Sequence, residues 1–158
     1  MIEKAVKILL IFIIALFQII LMPLIEINGV WPNIVLLTAI ALIFLGKKDD
    51  VFWLALLGGF ILDLSNPLKF SFNIVILPVI LLLINYVFER FLSESNIFII
   101  GLVSGFSGLI YGLFFLVISG NWFYNGLVAD FFYSAFAGIA AYVLMKKIIK
   151  ERTIIGWI

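Results

Sequence analysis

The distribution of positive charge constrains this chain more than any motif does. Of its ten Lys and Arg residues, nine fall on one side once the apolar runs are threaded six times through a membrane. Those nine are Lys4 and Lys7 before the first run, Lys47 and Lys48 after the second, Arg90 after the fourth, and Lys146, Lys147, Lys150 and Arg152 after the sixth. Only Lys69 lies opposite. Short loops that keep Lys and Arg on the cytoplasmic side set membrane orientation, so the pattern predicts both termini inside. Removing one crossing would move the C-terminal cluster to the wrong face.

Composition agrees. The chain is 66% hydrophobic and 12% charged, with a mean hydropathy of +1.33, whereas an average soluble domain has roughly 25% charged residues. Its 158 residues make a single integral membrane domain whose loops are too short for a soluble module. A net charge of +1, placed at helix ends where topology accounts for it, gives no basis for nucleic-acid binding. Cys and His are both absent, which excludes disulfides, thiol nucleophiles, His-based catalytic arrangements and the common zinc sites. The first run starts like a signal peptide but ends Met22-Pro23-Leu24-Ile25-Glu26, without a small-residue cleavage pattern, and is read as retained.

A span needs about 20 residues to cross ~30 Å of hydrocarbon. The expected spans are 8–25, 31–45, 51–64, 70–88, 97–118 and 127–145, followed by an interfacial tail over 146–158. The second and third are short and joined by the charged turn Gly46-Lys47-Lys48-Asp49-Asp50, which predicts an antiparallel hairpin with the loop Ser65 to Lys69 drawn into the membrane. Trp31, Trp122 and Tyr124 on one side, and Trp53 and Tyr86 on the other, suit interfacial belts. Pro78 inside the fourth span removes a backbone hydrogen bond and predicts a kink beside Asn73.

Asp63 ends the apolar stretch Gly58-Gly59-Phe60-Ile61-Leu62. A lipid-facing charge at depth costs several kcal/mol, so this carboxylate is expected to face protein or a water-filled cavity and to find a partner there. The simplest partner is the backbone of the Ser65-Asn66 turn. Asp130, four residues into the sixth span, lies at similar depth on the same side. Together with Asn33, Asn66 and Asn73 the two aspartates form a candidate outer polar cluster. Two facing carboxylates sharing one proton would also make an intramembrane aspartyl protease dyad.

The fifth span carries Gly101, Ser104, Gly105, Gly108 and Gly112 at helical spacing, and the sixth carries Ser134, Ala137, Gly138 and Ala141. Small-residue stripes let helix backbones approach closely in lipid. The first stripe is therefore either the packing face for the sixth span or a candidate face for a partner's transmembrane helix. No phosphate loop, no metal-binding acidic cluster and no charged ladder through the bilayer is present, so no cofactor is expected.

Trp31-Pro32-Asn33-Ile34-Val35-Leu36 opening the second span, the charged inner turn, Gly58-Gly59-Phe60-Ile61-Leu62-Asp63-Leu64 and then Asn66-Pro67-Leu68 resemble the rod-shape-determining protein MreD family along nearly the whole chain. Lys69 departs from the Gly that often follows Pro-Leu there. The resemblance implies an all-α bundle of six transmembrane helices. It also implies a non-enzymatic scaffold subunit of the cell-wall elongation machinery in the bacterial cytoplasmic membrane. The implied direct partner is the bitopic protein MreC, and through it MreB filaments, RodA and a penicillin-binding protein. The family is similar in fold to the vitamin-binding S components of energy-coupling-factor transporters, which implies an alternative in which the outer polar cluster is a ligand site. Asn125 to Asp130 also resembles the Asn-x-Ala-Asp signature of lipoprotein signal peptidases. Those enzymes have four spans and place Arg after their other aspartate, where this chain has Leu64.

Overall fold

A computed structural model describes residues 2–26, 31–65, 72–91, 96–119 and 126–154. Among them the chain is all helical: α1 (Ile2–Ile20), a 3-10 turn (Met22–Ile25), α2 (Ile34–Phe44), α3 (Lys48–Ser65), α4 (Phe72–Phe91), α5 (Ile97–Ser119) and α6 (Leu127–Ile154). Three of these, α4, α5 and α6, contain stretches long and apolar enough to cross a membrane, namely Phe72–Arg90, Ile97–Ile118 and Leu127–Lys150. Shorter apolar stretches occupy Val6–Ile20 and Ile34–Phe44.

The helix limits refine the sequence reading where local chemistry decides them. α1 stops before Pro23, which sits in the following 3-10 turn, since a helix interior does not tolerate proline. Instead of lying in a loop, Lys48, Asp49 and Asp50 form the start of α3, with both aspartates in its first turn. Acidic side chains there complement the unpaired amides and positive end of the helix. α3 therefore has 18 residues, beginning three residues before and ending one residue after the apolar segment 51–64. α4 runs unbroken through Pro78. α6 continues to Ile154, so the expected tail over 146–158 is a helical extension as far as it is described.

Burial is inverted relative to a protein that faces water. Every residue of α2 from Val35 to Phe44 is buried, and a helix apolar on all sides belongs at a bundle centre. The other helices pack around it, with α5 against α6, α3 against α4, and α1 against α3. Polar groups point inward: Gln18, Asn33, Thr38, Asp63, Asn73, Ser104, Ser107, Asp130 and Ser134 are all buried. Large apolar side chains such as Leu82, Phe98, Val128 and Phe136 are about 70% exposed. An apolar exterior of this extent suits a hydrocarbon surround.

The two ends of the bundle differ. At the Lys7 end, α1 is tied to α3 by Lys7–Asp50 at 3.0 Å and α3 to α4 by Lys48–Glu89, while Phe44 of α2 meets Phe88 of α4 edge to face. On the same end, α1 and α6 stand on either side of an apolar groove of about 860 Å³ floored by Thr38 and Leu42 of α2 and Leu54 and Leu57 of α3. At the Asp63 end the helices are joined by buried polar groups.

Candidate functional site

Asp63 occupies the last turn of α3 and is 1% exposed. Its Oδ1 accepts hydrogen bonds from the Asn73 backbone N–H at 2.8 Å and from Asn73 Nδ2 at 2.9 Å. Oδ2 accepts from the Ile74 backbone N–H at 2.8 Å. α4 begins at Phe72, so two of these donors belong to its first turn, where amides have no partner within the helix. A carboxylate from a neighbouring helix thus caps α4. The expected bond from the Ser65-Asn66 turn falls partly on Asn66, which lies outside the described residues; the Ser65 hydroxyl donates to the Leu62 carbonyl at 2.7 Å.

Glycine makes this contact possible. A Cβ on Gly59, one turn before Asp63, would lie 2.9 Å from the Asn73 carbonyl oxygen and 3.0 Å from Ile74 Cα. The backbones of α3 and α4 touch at that point. Gly58, on the adjoining face, plays the same part toward α2, where an added Cβ would lie 2.7 Å from Val35 Cγ1. The Gly58-Gly59 pair therefore lets α3 fit between its two neighbours and brings the Asp63 carboxylate within reach of the α4 N-terminus.

The network extends to α5. Tyr111 donates its hydroxyl proton to Asn73 Oδ1 at 2.6 Å, and its ring packs on Phe72 with 5.6 Å between centroids. Asn73 in turn donates to Asp63, so the tyrosine joins α5 to the carboxylate that caps α4. Asn33 caps α2 by accepting from the Leu36 N–H at 3.1 Å. The Ile34 N–H of that first turn donates to Gln18 Oε1 of α1. Asp130, in the first turn of α6, accepts from the Ser134 hydroxyl at 3.2 Å. A Cβ on Gly112 would approach Asp130 Oδ2 to 2.7 Å, so that glycine makes room for the carboxylate.

Four members of the expected outer polar cluster, Asn33, Asp63, Asn73 and Asp130, are therefore buried, and Asp63 and Asn73 are linked to Tyr111. Asn66 lies outside the described residues. Tyr111 was missed in the sequence reading, although a tyrosine in an apolar span needs a partner for its hydroxyl and is a signal in itself. Asp63 and Asp130 share no hydrogen bond with each other. Asp63 accepts from the amides of α4 and the Asn73 side chain, and Asp130 from the Ser134 hydroxyl. No group of three or more acidic residues suited to a metal occurs among the described residues.

The stripe on α5 is covered by α6. A Cβ would meet Ile139 from Gly101, Phe131 from Gly105 and Ser134 from Gly108, while one on Gly138 would meet the Ser104 hydroxyl. Gly101, Ser104, Gly105, Gly108 and Gly112 thus pack against α6, the first of the two roles read for this stripe. Comparison of the chain with protein-family models, with curated proteins and with solved structures finds no match.

Proposed function

We propose that the chain crosses the bacterial cytoplasmic membrane six times with both termini in the cytoplasm. In this reading it is a non-enzymatic scaffold subunit of the cell-wall elongation machinery that binds MreC and is linked through it to MreB, RodA and a penicillin-binding protein. The observation that carries the reading is the destination of the residues resembling the MreD family. Asn33 of the first stretch caps α2 and Asp63 of the second caps α4. Their polar atoms hold helices in place, as suits a protein whose work is to present a fixed surface. With the α5 stripe occupied by α6, the partner's transmembrane helix meets another part of the apolar exterior.

The vitamin-binding alternative has less support. The groove of about 860 Å³ lies at the Lys7 end, away from the polar cluster, and its walls are almost wholly apolar. Purification of the tagged chain from native membranes in mild detergent, followed by mass spectrometry of bound proteins and small molecules, tests the proposal. Recovery of a bitopic cell-wall protein in near-equal amount is expected. A bound vitamin with an ATPase module would overturn the scaffold reading.

A further inference from the structure

We infer that the groove between α1 and α6 is a binding site for one glycerophospholipid of the leaflet on the Lys7 side, with a headgroup carrying both a phosphate and an ammonium. The inference rests on the membrane-spanning part of the reading above and is independent of any protein partner.

Length selects the occupant. On α1 the groove runs from Lys7 to Phe17, on α2 from Leu42 to Ile34, and on α6 from Ile149 to Ala137. At ~1.5 Å per residue these paths are roughly 15, 12 and 18 Å long. Half of a ~30 Å hydrocarbon core is about 15 Å. The groove thus starts at charged residues and ends near mid-bilayer, matching lipid tails from one leaflet and falling well short of a spanning helix.

Chemistry at the mouth selects the headgroup. Lys7, Lys47, Asp49 and Asp50 line that end, and Lys7 is engaged with Asp50. Among the described residues neither Lys47 nor Asp49 forms an ion pair, and they stand two positions apart where α3 begins. Lys47 supplies a cation for a phosphate and Asp49 an anion for an ammonium, whereas a purely anionic headgroup would meet Asp49 unfavourably. Trp53, 56% exposed on the next turn, is suited to headgroup level. Deeper in, Ala137, Ala140 and Ala141 keep the α6 wall low enough for tails to lie against α2.

The test is native mass spectrometry of the purified, delipidated chain in detergent, titrated with dioleoylphosphatidylethanolamine or dioleoylphosphatidylglycerol. One retained ethanolamine lipid per chain is expected, with weaker retention of the glycerol lipid. Lys47→Gln or Asp49→Asn, at the mouth, should each weaken the ethanolamine lipid about fivefold, and Asp49→Asn should remove the preference between headgroups. Ala140→Phe, at an exposed position on the wall, should weaken both lipids by about tenfold or more with helicity unchanged. Retention unaffected by Ala140→Phe and by both mouth variants would overturn the inference, as would absence of a bound lipid. So would a photo-crosslinker at position 144 that captures a protein in place of lipid in native membranes. Recovery of the chain from the soluble fraction would overturn the membrane reading itself, whereas failure to capture MreC leaves the lipid measurement untouched.

Discussion

The two ends of α3 place the same residue type in opposite physical situations. Asp49 and Asp50 sit in its first turn, where a negative charge meets the positive end of the helix, and Asp50 reaches Lys7 across a partly exposed gap. Asp63 sits in the last turn, where its own helix presents carbonyl oxygens, the unfavourable end for a carboxylate. It is also buried. What makes that position tenable is the N-terminus of α4, whose amides supply the compensation that α3 cannot. Exposed charges at the first end adjust to their surroundings, while the buried one at the second dictates where a neighbouring helix must begin.

The comparison is broken most directly at the buried end. Asp63→Ala leaves the first amides of α4 and the Asn73 side chain without their acceptor, at roughly 3 kcal/mol or more. A large fall in the SDS unfolding midpoint in mixed micelles checks it. Asp63→Asn keeps one acceptor oxygen but turns an amide donor toward an N–H, and is expected to fall between the alanine variant and the native chain.

Next in size is Gly59→Ala, because its methyl meets the backbone of Asn73, which cannot rotate away. A loss of about 2 kcal/mol is expected. Gly58→Ala meets only the Val35 side chain and should lose less. Equal losses in the same unfolding assay would remove the distinction between the two glycines. Tyr111→Phe deletes one donor to Asn73 Oδ1 and should cost about 1 kcal/mol, with the helix content retained by circular dichroism. Smallest is Lys7→Gln at the exposed end. With side chains 45% and 30% exposed, the Lys7–Asp50 pair is expected to contribute about 0.5 kcal/mol or less, and less still at high salt. An effect as large as that of Asp63→Ala would erase the contrast between the two ends.

Several of these features are legible along the chain. Apolar runs and their interruptions mark each helix, and Pro23 marks where α1 ends. Alternating direction is enough to bring Asn33, Asp63, Asn73 and Asp130 to one end. The assignment of Lys48, Asp49 and Asp50 to a turn failed because charge was read as loop, when acidic residues also favour a helix start. Tyr111 escaped because its role depends on Asn73, 38 residues away. The stripe on α5 carries the same letters whether α6 or another protein covers it.

The sequence by itself determined an apolar chain of helices with most of its charge between or beyond the apolar runs, because hydropathy and charge act position by position and need no knowledge of neighbours. Only the tertiary structure decided that Asp63 caps α4, that α6 fills the glycine face of α5 and that a half-length groove remains between α1 and α6. Each of those outcomes depends on which helix faces which across the bundle. That choice is settled by close approach of a neighbouring helix at Gly58, Gly59 and Gly108 and by unpaired amides seeking an acceptor, interactions between residues the chain keeps apart.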